Sequence, residues 1–116
     1  MKDIMVKDIL KVTGGKLIIG DENKVCNNFS RDTRNINKGD TYIGIKGENF
    51  DGNLFWREAF EKGAEVVIIQ EKNLENEDVS EWKEKVIIQV EDTLKALQEI
   101  AKFKRSLYDI PVIAIT

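Results

Sequence analysis

At 116 residues the chain has the length of one ordinary domain and is too short for two. With 41% hydrophobic and 34% charged residues it reads as globular, and a net charge of −3 argues against a nucleic-acid backbone as partner, which calls for a basic face. Histidine is absent and Cys26 is the only cysteine, which removes the commonest general base, an internal disulfide and a cysteine-built metal cage.

In chain order, apolar residues three and four apart predict a short helix over residues 6–12, stopped by Gly14 and Gly15. A strand is predicted at 16–19, a turn at 20–23, and a second strand at 25–29, in which Cys26 reads as a small packed hydrophobe. Asn37-Lys38-Gly39-Asp40 is a turn before a strand at 41–45, and Asp51-Gly52-Asn53 turns and caps a helix at 54–62. Gly63 ends that helix where a glycine relieves a left-handed backbone. Residues 64–70 form a nearly unbroken apolar run, as expected of a strand covered on both faces. Residues 71–85 are a charged excursion in which Trp82 makes a satellite contact, and 86–90 is a second buried strand. Asp92 and Thr93 cap a helix whose Leu94, Leu97, Ile100, Ala101 and Leu107 share a face, and 110–115 is a third buried strand, opened by Pro111. This alternation predicts an α/β domain with a mixed β-sheet and helices on its faces.

Residues 30–53 concentrate polar groups on either side of one short strand. Gly47 to Asn53 follow that strand and open a helix, where backbone N–H groups can hold an anion such as a phosphate, with Lys46 and Arg34 adding charge. The alternative is that Asp51 and Asn53 cap the helix and the glycines turn the chain. Arg34 likewise has two readings, a phosphate clamp or a surface pair with Asp32 or Asp40, and Asp32 either meets a ligand or caps a turn. Phe50 and Phe55 read as core rather than as stacking platforms.

The order of these pieces carries a resemblance. Ser30-Arg31-Asp32-Thr33-Arg34, the stretch 38–52 (KGDTYIGIKGENFDG), the stretch 59–69 (AFEKGAEVVII), the stretch 90–97 (VEDTLKAL) and the stretch 110–116 (IPVIAIT) together resemble the N-terminal domain of the Mur ligases. Within that family the pattern is most similar to the branch that adds D-alanyl-D-alanine to UDP-N-acetylmuramoyl-tripeptide. The sibling branch that adds the third amino acid shares the first two motifs.

The resemblance implies a domain that binds UDP-N-acetylmuramoyl-peptide, with ATP, magnesium and the acyl-phosphate chemistry belonging to a central domain and the incoming dipeptide held with help from a C-terminal domain. It implies that Ser30, Asp32, Thr33 and Arg34 lie beside the uridine, and that Lys46, Gly47, Glu48, Asn49, Asp51, Gly52 and Asn53 lie beside the diphosphate. It implies no catalytic residue, bound cofactor or metal within these 116 residues. One departure stands out: the family often has Asp-Gly-His where this chain has Asp51-Gly52-Asn53, so a charged contact is expected to be missing there.

No G-x-x-x-x-G-K-[ST] phosphate loop occurs, and Ile115-Thr116 ends an apolar run of the kind that feeds such a loop. The chain is therefore expected to be a fragment that stops just before the ATP-binding domain, non-catalytic alone. Without a bilayer-length apolar run or a signal-peptide pattern, it is expected in the bacterial cytoplasm. A stand-alone nucleotide-sugar-binding module is the rival expectation.

Overall fold

The computed structural model describes residues 3–70, 74 and 78–107. Helix α1 (Val6–Thr13) starts where the Met5 N–H donates to Asp8 Oδ2 at 2.9 Å, and it stops at Gly14, whose φ of +70° is the left-handed conformation a glycine accepts at least cost. Strands β1 (Lys16–Ile19), β2 (Asn27–Ser30) and β3 (Asp40–Ile43) follow, then α2 (Trp56–Glu61), β4 (Val66–Ile69), β5 (Val86–Gln89) and α3 (Thr93–Ser106). A 3₁₀ turn, Gly52–Phe55, leads directly into α2. Asp92 caps α3 by accepting hydrogen bonds from the N–H groups of Leu94 and Lys95, as its position before an apolar-periodic segment predicts.

The five strands form one sheet in the order β1-β5-β4-β3-β2. Strands β2 to β5 run parallel, and β1 pairs antiparallel with β5, so the sheet is mixed. Side chains alternate across it with the period of two that a strand imposes. Ile43, Val66, Ile68, Val86 and Ile88 pack with Val6 and Ile9 of α1 and Ala96 and Ile100 of α3. Tyr42, Val67, Ile69 and Ile87 pack on the opposite face with Trp56, Ala59 and Phe60 of α2. Coverage on both faces explains why every residue of β3 and β4 is buried and why their sequences show no polar alternation.

Several sequence expectations shift. The second strand begins at Asn27, and Val25 makes only an isolated bridge with Met5. Strand β3 runs from Asp40 to Ile43 because Gly44 already lies against the chain at residues 52 and 53, leaving no room for a further strand residue with a side chain. On α3 the buried residues are Thr93, Ala96 and Ile100, with Leu97, Phe103 and Leu107 partly buried, whereas Leu94 is 52% exposed and Ala101 is exposed. The expected stripe therefore holds at Leu97, Ile100 and Leu107, but it takes in Thr93 and Ala96 in place of Leu94 and Ala101. Trp82 does sit against the core, its ring 5.0 Å from that of Phe60. The predicted strand at 110–115, Pro111 and residues 71–73 and 75–77 of the charged excursion lie outside the described residues.

Cys26 is buried, and burial pushes its thiol up to about 11, so it behaves as the packed hydrophobe expected of it. No helix among the described residues is long and apolar enough to cross a membrane.

Candidate functional site

Because β2 and β3 are parallel neighbours, the segments that follow them emerge at the same edge of the sheet. In open α/β sheets that carboxyl edge is where ligands bind. The segment after β2 is the 30–34 motif and the segment after β3 is the 44–53 motif. They meet: Arg31, Asp32, Thr33, Arg34 and Phe50 line a cavity of about 580 Å³.

The first motif is a turn held by its own polar groups. Ser30 Oγ accepts from the Asp32 N–H at 3.2 Å and donates to the Asp32 carbonyl at 3.1 Å. Asp32 caps the 3₁₀ turn Thr33–Asn35 by accepting from the Arg34 N–H at 2.8 Å. The Arg34 guanidinium then folds back on the same carboxylate, with Nη2 2.8 Å from Oδ2 and Nε 3.1 Å from Oδ1. Of the readings open for Arg34, the structure has the pair with Asp32. Hydrogen bonds from Arg34 hold the Asp32 carboxyl down at about 2. The Arg34 side chain nevertheless stays 84% exposed, and Thr33 is partly exposed beside it.

The second motif is a compact hairpin. Lys46 and Asp51 bridge antiparallel, the Gly47 N–H donates to the Phe50 carbonyl at 2.6 Å, and the Gly52 N–H to the Ile45 carbonyl at 2.9 Å. A Cβ at Gly52 would lie 2.9 Å from both the nitrogen and oxygen of Ile45 and 3.0 Å from the Tyr42 hydroxyl, so only glycine fits. Tyr42, fully buried in β3, donates its hydroxyl to the Gly52 carbonyl at 2.8 Å, and burial pushes that phenol up to about 12. Asp51 accepts from both the backbone N–H and the Nδ2 of Asn53, at 3.0 and 2.8 Å.

The amides that open the helix are therefore engaged within the loop. Those of Gly52, Asn53 and Leu54 bond to the Ile45 carbonyl, the Asp51 carboxylate and the Asp51 carbonyl. The capping reading of Asp51 describes them, and an anion held by those three N–H groups does not. Asn53 is turned inward, 3% exposed, and its Oδ1 accepts from the Gln70 N–H at 2.8 Å. Lys46, Gly47, Glu48 and Asn49 are exposed at the loop surface.

Two features escaped the sequence reading. Phe50 is 54% exposed rather than core, its ring stacked on that of Phe55 with centroids 5.1 Å apart and planes 9° apart. Gln70 joins the site to α3: its Oε1 accepts from the Thr93 N–H at 2.8 Å and from the Thr93 hydroxyl at 3.1 Å. The apolar run before Gln70 signalled a strand but not that this residue would join the 44–53 loop, through its N–H, to the start of α3, through its side chain. No group of three or more Cys, Asp or Glu among the described residues is arranged to hold a metal ion.

Comparison with known proteins places this geometry. The family model "Mur ligase family, catalytic domain" matches residues 26–105. The UDP-N-acetylmuramoyl-L-alanyl-D-glutamate–2,6-diaminopimelate ligase of Clostridium perfringens is 37% identical over 94 residues, 81% of this chain and 18% of that protein. The UDP-N-acetylmuramoyl-tripeptide–D-alanyl-D-alanine ligase of Bacillus subtilis is 33% identical over 112 residues, 96% of this chain and 23% of that protein. The chain thus spans about a fifth of the length of the curated relatives it matches. A crystal structure of MurF from Acinetobacter baumannii superposes on 92% of this chain and 22% of its own, with a TM-score of 0.71 at 21% identity, a likeness of fold. The order of motifs, the mixed sheet and these matches agree: the chain belongs to the Mur ligase family, ligases of peptidoglycan-precursor synthesis.

Proposed function

We propose that this chain holds the UDP end of a UDP-N-acetylmuramoyl-peptide for an ATP-dependent amide-forming ligase of the D-alanyl-D-alanine-adding kind. The observation that carries the reading is the meeting of residues 31–34 with Phe50 around one cavity at the carboxyl edge of parallel strands. The cavity joins hydrogen-bonding groups and an exposed cation to an aromatic wall, the mixture a nucleotide calls for. Ser30, Asp32, Thr33 and Arg34 would face the uridine, and the exposed loop residues from Lys46 to Asn49 the diphosphate. Asp51, Gly52 and Asn53 would serve that contact by shaping the loop, since their polar groups are turned to the protein.

The D-alanyl-D-alanine assignment is supported by the Bacillus subtilis relative, which aligns with 96% of the chain. The Clostridium perfringens relative, at 37% identity over 81% of the chain, supports the alternative of a ligase adding the third residue of the peptide. In either case the reading assigns ATP and magnesium to further domains of the same polypeptide, with the enzyme in the bacterial cytoplasm and this chain non-catalytic alone.

The test is a titration of the chain with UDP, UDP-N-acetylmuramoyl-tripeptide and ATP, followed by amide chemical shifts. Weak, salt-sensitive binding of the two uridine ligands is expected, because one wall of a site offers little contact area. Shifts should gather at residues 31–34 and 46–51. Perturbation confined to residues 92–107, or tighter binding of ATP than of UDP, would overturn the reading. Supplying a longer form of the protein with D-alanyl-D-alanine or diaminopimelate then separates the two ligase kinds by which one becomes amide-linked.

A further inference from the structure

Thr93 is buried at the start of α3 and lines no part of the cavity of residues 31–34 and Phe50, yet a run of hydrogen bonds through Gln70 joins it to one wall of that cavity. Its N–H and its hydroxyl both donate to Gln70 Oε1, at 2.8 and 3.1 Å. The Gln70 N–H donates to Asn53 Oδ1 at 2.8 Å, and Asn53 Nδ2 donates to Asp51 Oδ1 at 2.8 Å. Asp51 in turn bridges to Lys46 across the hairpin that carries Phe50.

Starting the helix does not call for this arrangement. Asp92 already caps α3 by accepting from the N–H groups of Leu94 and Lys95, so the Thr93 hydroxyl is free for another task. The Lys46–Asp51 bridge and the amide bonds inside the loop give the hairpin its shape but not its angle to the sheet. That angle depends on bonds leaving the hairpin, among them the Tyr42 hydroxyl to the Gly52 carbonyl and the Gln70 N–H to Asn53 Oδ1. The second is only as firm as the seat of Gln70, one residue past the end of β4, and Thr93 supplies the two donors that hold its side chain.

We infer that Thr93 is a positioning residue for the loop at 46–51: acting through Gln70 and Asn53, it sets how far that loop stands from residues 31–34. The inference rests on the nucleotide-site reading above and adds to it a residue outside both loops. A buried neighbour that locks a contact group to within a fraction of an ångström governs affinity although it touches no ligand.

The experiment compares the chain with its Thr93→Val and Thr93→Ser variants at a temperature where circular dichroism shows all three folded. Thr93→Val keeps the side-chain shape and the N–H bond but loses the hydroxyl donor, whereas Thr93→Ser keeps both donors. In the ligand-free proteins Thr93→Val should shift the amide resonances of residues 46–51. It should also weaken UDP roughly two- to ten-fold, the affinity equivalent of one hydrogen bond. Thr93→Ser should return both readouts toward the parent. A folded Thr93→Val protein with the parent's UDP affinity would overturn the inference and leave Thr93 a packing residue, whatever its stability. So would a Thr93→Ser protein that binds UDP as weakly as Thr93→Val. Should Thr93→Val fail to fold, the parent chain decides: saturation with UDP should move the Gln70 and Thr93 amide resonances together with those of 46–51, and stationary Gln70 and Thr93 resonances refute the link. If the parent chain binds no UDP, the nucleotide-site reading itself falls and takes this role with it, an outcome distinct from UDP binding that ignores residue 93.

Discussion

Gly47 and Gly52 sit five residues apart in one loop and carry very different constraints. At Gly47 an added Cβ would meet only the Phe50 carbonyl at 3.6 Å, an ordinary contact, whereas at Gly52 it would meet Ile45 backbone at 2.9 Å. Gly47→Ala should therefore leave urea stability nearly unchanged, while Gly52→Ala should cost on the order of 1–3 kcal/mol, the usual penalty of overpacking. Equal midpoints for the two variants would contradict this placement of the tight approach. The Asp32–Arg34 pair is decided by exposure. The Arg34 side chain stands in solvent and Asp32 is partly exposed, and at such a surface an ion pair stabilises little, so Arg34→Ala should leave the melting temperature essentially where it was. If Arg34 serves a ligand, the same variant loses UDP affinity at low salt without losing stability. A large fall in melting temperature would instead make the pair a structural clasp.

The loop after β3, the end of β4 and the start of α3 are held together through one residue, Gln70. The Gln70 backbone N–H donates to Asn53 Oδ1, and Gln70 Oε1 accepts from both the N–H and the hydroxyl of Thr93, a residue 1% exposed. Gln70→Leu would strand those buried donors and should destabilise the domain by about 1–3 kcal/mol. Gln70→Glu keeps an oxygen in that place and should lose less; if it loses as much as leucine, the acceptor role is wrong. This bridge marks the boundary of what the sequence makes legible. Strands β4 and β5 were readable because residues buried on both faces must be apolar throughout, and α1 was readable from its spacing and from Gly14. The two halves of the candidate site were readable as separate polar motifs. That Phe50 would leave the core and face residues 31–34 was not, because burial preference gives the common outcome for phenylalanine, while its actual position follows from the Gly44 and Gly52 contacts that fold the hairpin back. On α3 the expected face holds at Leu97, Ile100 and Leu107, while Leu94 is left outside for a related reason: Thr93 is drawn inward by Gln70, a partner 23 positions away that no local period encodes.

The domain has two chemically distinct ends. At the amino ends of the parallel strands, Glu65 before β4 binds Lys24 before β2 at 2.9 Å and Lys85 before β5 in a close ion pair, and Lys85 also donates to the Ala64 carbonyl at 3.0 Å. At the carboxyl ends lies the cavity of residues 31–34 and Phe50. Burial by itself pushes the Glu65 carboxyl up, but the hydrogen bonds and charges of Lys85 and Lys24 outweigh it and hold the group below its ordinary 4.5. A carboxylate depressed in this way adds stability that is present above its unfolded value and is lost as pH falls through the lower folded value. Glu65→Gln should thus be less stable than the parent chain at pH 7, and the gap should close as pH falls below about 4.5, the ordinary carboxylate value. Urea midpoints of both proteins measured between pH 7 and pH 3 would show this convergence, and a gap that stays constant across the range would remove the charge from the explanation. The same variant separates the two ends of the molecule. The triad joins the starts of strands whose opposite ends carry the site, so under conditions where both proteins are fully folded, Glu65→Gln should titrate UDP as the parent does. Phe50→Ala should do the reverse, sparing the urea midpoint and weakening UDP. A Glu65→Gln protein that stays folded yet loses UDP affinity would mean that the rigid sheet couples the two edges, and the division between a stabilising edge and a binding edge would then be wrong.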